Sequence, residues 1–356
     1  MAIKKKPQTL NKLIERYKKI RKKGLLQKKY KGKYAFVGIG NHSIHNLYPV
    51  LNYLNVDLKY IVARSQDTVD LIQNNYPNTT ATTKLSDVLE DSEIKGVFVS
   101  ANPTAHFSIA KQILASNKNV FIEKPPCSSL AELKELIGAE GRSSAQVLTG
   151  LQRRYSPVYN ILFNKVKQAS YYTLKHKTGS YPEGDELLDL FIHPLDALFF
   201  LFGTGKIENV KTIKSKGTIV YLAQIQHTNG VVGSIEFSTD YSWMEAQDVL
   251  TINTAKGEYI TENTSKLTFQ NKPKVFLNIP LEKVKTFIPQ TSTLYQQNSF
   301  LPIKVHNQIY SAGYYNELAA FLQLCENGNA TNCSSLSSLV PTYEAMEQLN
   351  LAKNKS

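Results

Sequence analysis

A short apolar run, Tyr34-Ala35-Phe36-Val37, leads into Gly38-Ile39-Gly40 and then into 41–55, where Ile44, Leu47, Tyr48, Leu51 and Leu54 recur at helical spacing. A strand that ends in glycines and opens a helix starts a βα unit. The alternation continues. Residues 58–63 read as a strand, 67–75 and 84–89 as helices, 96–100 as a strand and 104–115 as a helix. Residues 119–122 follow as a strand, 131–137 as a helix and 146–149 as a closing strand. Strands and helices alternating at this spacing predict a doubly wound parallel sheet, a Rossmann domain over 34–150.

The glycine turn carries chemistry. Gly38 permits the tight turn, and Gly40 lets a pyrophosphate approach the backbone at a helix N-terminus beside Asn41 and His42. Ser43 stands where the third glycine of a dinucleotide-binding turn falls. The second strand ends Ala63-Arg64-Ser65. No acid is present there to bind ribose hydroxyls, and an arginine with a serine suits a 2′-phosphate. The expected cofactor is NADP, with NAD as the alternative.

The strand over 119–122 runs straight into Glu123-Lys124-Pro125-Pro126. Ligands of open α/β sheets bind outside the C-terminal ends of the strands, and two prolines stiffen the turn that presents Lys124. From 151 the pattern changes. Helices are expected over 155–167 and 187–202, followed by alternating β stretches at 207–226, 231–239, 249–254 and 267–269. Helices at 310–325 and 339–351 close the chain. An α+β domain with a large, mostly antiparallel open sheet is therefore expected over 151–356. Within the apolar run 187–202, Asp189 and His193 fall at i and i+4, one helical face, where an unpaired polar group is costly. A histidine held by a carboxylate moves protons near neutral pH. Pro194 conflicts with a regular helix and implies a late start or a kink beside His193. The turn-rich Tyr181-Pro182-Glu183-Gly184-Asp185 precedes this segment and is expected to line the substrate mouth. Arg153, Arg154, Lys175, His176 and Lys177 are candidates for an acidic group on the substrate.

Together these motifs resemble the glucose–fructose oxidoreductase / inositol dehydrogenase (Gfo/Idh/MocA) family over about residues 34–353. The resemblance rests on Gly38-x-Gly40, Asn102-Pro103-Thr104-Ala105-His106, Glu123-Lys124-Pro125, Gln152-Arg153-Arg154-Tyr155-x-Pro157, Asp189-x-x-x-His193-x-x-Asp196 and Tyr315-Asn316-Glu317. It implies an NAD(P)-dependent oxidoreductase acting on sugars, cyclitols or nucleotide-linked sugars. Lys124 would bind the substrate oxygen, His193 would be the general acid/base, and Asp189 would orient it or a sugar hydroxyl. Ser100, Asn102, Pro103, His106, Glu123, Lys124 and Pro125 would border the cofactor, and the Lys124–Pro125 bond would be cis. Arg154, Tyr181, Asp185 and Asp196 would face the substrate. A homodimer or homotetramer built on the open sheet is implied. The competing readings are a cofactor-retaining glycosidase or lyase, a biliverdin-reductase-like enzyme, and a ligand-sensing regulator without catalysis.

Charge isolates one further segment. Residues 1–33 hold 14 of the 42 Lys and Arg residues and one of the 29 acids, which leaves a neutral body. This arm is expected to form a helix capped by Thr9 and stopped at Gly24. It would contact an acidic partner or pack on its own domain or oligomer. No run of about 18 uncharged apolar residues is present to span a membrane. Cys127, Cys325 and Cys333 lack metal or redox spacing, so no metal and a reducing cytoplasm are expected.

Overall fold

The computed structural model describes residues 8–26, 29–286, 288–298, 307–328 and 332–355. The first sheet contains β1 (Lys33–Val37), β2 (Asp57–Val62), β3 (Thr80–Thr82), β4 (Ile94–Val99), β5 (Asn119–Glu123) and β6 (Val147–Gly150), all parallel, in the order β3-β2-β1-β4-β5-β6. The strand order reverses beside β1, and the crevice outside the C-terminal ends of β1 and β4 is the topological switch point. Both faces of the sheet are covered. Ala35, Val97, Val120 and Ile122 pack on one side, and Phe36, Phe98 and Phe121 on the other. Helix Tyr314–Asn327, from the far end of the sequence, seals the second side, with Phe321 edge-on to Phe98 at 4.9 Å.

The second sheet has eight strands, ordered β16-β13-β12-β11-β7-β10-β9-β8. They are β7 (Ala169–Lys177), β8 (Gly205–Ser215), β9 (Thr218–His227), β10 (Val232–Ser238), β11 (Gln247–Thr254), β12 (Gly257–Glu262), β13 (Lys266–Asn271) and β16 (Thr291–Gln296), with β14 (Val275–Phe276) and β15 (Ile279–Pro280) forming a separate small hairpin. Only β7 and β10 pair in parallel. One face is a core. Tyr172 stacks on Phe202 at 4.5 Å, and Phe191 stacks on Phe237 at 5.0 Å. The other face leaves Tyr171, Leu222 and Val232 exposed on adjoining strands.

Several expectations change. Ile44 is exposed because Ser43–Leu47 winds as a π-helix, and the wider turn rotates it outward while Leu47, Tyr48, Leu51 and Leu54 stay buried. Segment Leu187–Phe191 is likewise π-helical, and the regular helix begins at Ile192, so Pro194 falls in its first turn, where a missing N–H is tolerated. The arm's helix, Gln8–Leu26, continues through Gly24. Its side chains Leu13, Tyr17 and Ile20 are exposed and do not pack on the chain's own body. Thr9 lies within that helix and not at its cap. No described helix is long and apolar enough to cross a membrane.

Candidate active site

The glycine turn forms one wall of a cleft of about 740 Å³ at the switch point. Gly38, Gly40, Asn41, His42, Ser43, Arg64, Ser100 and Asn102 all line it, joined by Thr68, which the sequence did not single out. Gly38 has φ 95°, and a Cβ there would overlap the Ser100 carbonyl, so only glycine fits. Around Gly40 the space is open, which leaves its backbone free for close approach by a ligand. Ser43 Oγ accepts from Gly40 N at 2.9 Å and donates to Gly40 O at 3.0 Å, so the serine braces the turn from within. These residues fit a dinucleotide. The cleft is the right size, its floor is backbone, and a helix opens toward it.

Other predicted cofactor residues serve as supports. Ser65 caps helix Gln66–Asn75, its Oγ accepting from Thr68 N at 3.4 Å and lying 2.9 Å from Thr68 Oγ1, and it does not line the cleft. Asn102 caps helix Pro103–Ala115, with Thr104 N donating to Oδ1 at 3.1 Å. His106 is buried with Nδ1 2.8 Å from Pro125 O and Nε2 3.1 Å from Ala101 O. It ties the loop after β4 to the proline turn after β5. Burial lowers its pKa. Glu123 is buried, with Oε1 3.1 Å from His42 Nε2. The Lys124–Pro125 bond is cis.

Lys124 projects from this turn onto the catalytic-looking segment. Its Nζ donates to the main-chain oxygen of Asp189 at 2.6 Å. In a π-helical register each carbonyl faces the N–H five residues on, and for Asp189 that residue is Pro194, which has no N–H. The ammonium therefore supplies a donor to a carbonyl that Pro194 cannot serve. Burial lowers the Lys124 pKa, against the opposing pull of Glu123 and Asp189. His193, one turn beyond, has a buried Nδ1 with no hydrogen-bond partner. Its pKa is held well below the usual imidazole value, first by burial and then by the positive charge of Lys124. Both effects favour the neutral imidazole.

The Asp189 carboxylate does not orient His193. Its Oδ2 accepts from Tyr181 Oη at 3.3 Å and from Asp185 N at 3.1 Å, which pins the 181–185 loop beside the site. The Asp185 side chain accepts from the N–H groups of Leu187 and Leu188, and so starts the helical segment. Arg154 and Asp196 form a buried bidentate pair, Nε–Oδ2 2.8 Å and Nη2–Oδ1 2.5 Å, and Arg154 Nη1 also donates to Cys333 O at 2.5 Å and Ser338 Oγ at 2.8 Å. Neither residue is left to meet a substrate. Arg153 and His176 share Asp248, each 2.7 Å from its Oδ2. The Arg153 guanidinium and the hydrogen bond with His176 push the Asp248 pKa down despite burial. Lys175 is exposed, on the strand face opposite Leu174 and His176. Sequence reading missed Asp248. Its signal was a carboxylate at an inward position of an alternating apolar strand. Among the described residues no group of three His, Cys, Asp or Glu side chains could hold a metal.

Residues 32–151 match the family described as "Oxidoreductase family, NAD-binding Rossmann fold" of the Gfo/Idh/MocA group. Over those residues the chain is a Gfo/Idh/MocA-type NAD-binding Rossmann domain of an oxidoreductase. An oxidoreductase of Formosa agariphila is 25% identical over 227 residues, covering 57% of this chain and 70% of that protein. Inositol 2-dehydrogenase of Salmonella typhimurium is 28% identical over 138 residues, covering 36% of this chain and 40% of that enzyme. The likeness to the Gfo/Idh/MocA fold extends further than to these sequences. A dehydrogenase from Chromobacterium violaceum superposes with TM-score 0.77 at 18% identity, covering 90% of this chain and 94% of that one.

Proposed function

We propose that the protein transfers hydride between NAD(P) and a CH–OH carbon of a sugar-like substrate, with Lys124 and His193 holding the reacting oxygen. One observation carries this reading: the part-buried Lys124 ammonium at the end of β5 donates to Asp189 O at 2.6 Å, four residues before His193, whose buried Nδ1 has no hydrogen-bond partner. Bound nicotinamide would supply the hydride acceptor or donor. For alcohol oxidation, His193 takes the hydroxyl proton, since it is already in its basic form. Lys124 stabilises the negative charge that grows on oxygen as the proton leaves. Its hydrogen bond to Asp189 O aims the ammonium and leaves it two further protons to donate.

The cofactor preference we propose is NADP. Arg64 is exposed at the cleft edge with Thr68, and among the described residues no carboxylate lines the cleft to bind ribose hydroxyls. We further propose a homo-oligomer built on the open face of the eight-stranded sheet, where Tyr171, Leu222 and Val232 are 47%, 39% and 39% exposed. Retained-cofactor chemistry, bilin reduction and ligand sensing have no comparable observation in their favour. The test is Lys124→Ala, assayed for NADP(H)-linked turnover across a panel of sugars and cyclitols. Turnover falls by about 10²–10³ while NADPH binding changes by no more than a few-fold. Full turnover in that variant refutes the assignment.

A further inference from the structure

Trp243 is the only tryptophan in the sequence. It stands on the loop between β10 and β11 and is 51% exposed. Its orientation is nonetheless fixed. Nε1 donates to Ser180 O at 2.9 Å. The indole lies against Gly179, where a Cβ would overlap the ring and displace it. Tyr181 meets the indole at a steep angle, with ring centroids 6.3 Å apart. Tyr181 also donates to the Asp189 carboxylate, and the Asp189 carbonyl holds Lys124. Trp243 is therefore linked to the reacting centre through two residues.

A large aromatic surface kept in water and held in a fixed orientation is a binding surface. A ring face carries negative charge density and attracts C–H groups that carry partial positive charge. The apolar face of a pyranose presents such C–H groups. The surroundings select among flat ligands. Glu183 and Asp185 extend from Tyr181, and Asp240 and Glu245 flank the tryptophan loop, all exposed. Carboxylates repel a diphosphate and accept hydrogen bonds from sugar hydroxyls. Of the nearby cations, Arg153 is already paired with Asp248, and Lys177 lies over the Tyr241 ring, 4.5 Å from its centroid.

We propose that Trp243 is a stacking platform for a neutral pyranose ring one unit away from the sugar that reacts, so that the enzyme takes a glycoside or oligosaccharide. This rests on the reading that Lys124 and His193 hold the reacting sugar. Because Trp243 is the sole tryptophan, its emission reports occupancy of the platform without any need for turnover. Cellobiose, maltose, lactose, their constituent monosaccharides and UDP-glucose are titrated, and the same panel is assayed for hydride transfer. At least one disaccharide produces a saturable change at concentrations where its monosaccharides produce none. By calorimetry, Trp243→Ala weakens that disaccharide roughly three- to tenfold, and Trp243→Phe restores most of the loss. Turnover of monosaccharides with no disaccharide response overturns the platform and leaves the oxidoreductase reading intact. A response to UDP-glucose alone also overturns it. Disaccharide binding without hydride transfer supports the platform and counts against the proposed reaction.

Discussion

Removing the carboxylate of Asp196 tests whether the Arg154–Asp196 pair belongs to the frame or to the substrate site. Arg154 is 3% exposed and Asp196 1%. In Asp196→Asn the guanidinium keeps Cys333 O and Ser338 as acceptors but loses its counter-charge, and Thr342 Oγ1 loses the anion it donates to at 3.2 Å. An uncompensated buried charge costs about 3–5 kcal/mol, a large share of the total stability of a domain. The double variant Arg154→Met/Asp196→Leu removes both charges. It leaves Cys333 O without its donor, at about 1–3 kcal/mol, and gains the avoided desolvation of an ion pair, of similar size. It should therefore lie within about 2 kcal/mol of the parent. Urea unfolding followed by circular dichroism measures all three proteins, and steady-state kinetics measures KM for the best sugar. The single variant is expected to lose stability and the double variant to regain it, with KM in the double variant within a few-fold of the parent. Unchanged stability in Asp196→Asn together with a large rise in KM would refute the structural assignment.

Arg64→Ala raises KM for NADPH by roughly tenfold, the worth of one charge-assisted phosphate contact, and leaves KM for NADH nearly unchanged; equal effects on both would remove the argument for NADP. Glu317 is fully buried, and burial, with the nearby Glu123 charge, pushes its pKa well above the usual value. The native state therefore holds a proton that the unfolded chain releases above about pH 4.3, so the residue lowers stability progressively as pH rises from there. Glu317→Gln is predicted to stabilise the protein by about 1–3 kcal/mol at pH 7 and by almost nothing below about pH 4, read as the shift in denaturation midpoint at each pH.

The Rossmann half was legible because its signals are local. A parallel strand buried on both faces is a continuous apolar run, and each one here is followed by a helix with clear periodicity. The strand β3, with three residues, is too short for such a signal. In the second half, β7 is the central strand of the larger sheet, yet it carries Lys175 and Lys177 on the face opposite Leu174, and between them His176, which pairs with the buried Asp248. Pairing across more than fifty residues, as between β7 and β10, leaves no local trace. Among the site residues, Gly38, Gly40 and Lys124 were readable because each has a backbone reason to be where it is. Asp189 and His193 were found as a pair by spacing, but spacing assumed an α-helix. The π-turn that Pro194 accommodates separates their tasks, leaving Asp189 to pin the 181–185 loop and His193 alone with Lys124. Arg154 and Asp196 read as polar groups near a site. Whether a charge faces a partner or a ligand is a property of packing, and sequence does not encode it locally.

The most direct test of the central claim is the pH dependence of kcat/KM for alcohol oxidation, since it reports the protonation state of the residue that accepts the proton. Burial and Lys124 place His193 below the ordinary imidazole value of 6.5. The rate is predicted to rise through an apparent pKa below that value and to stay level from about pH 6.5 to 8, with the acid limb absent in His193→Gln. An acid limb centred above about pH 7.5, or one that persists unchanged in His193→Gln, would contradict the account.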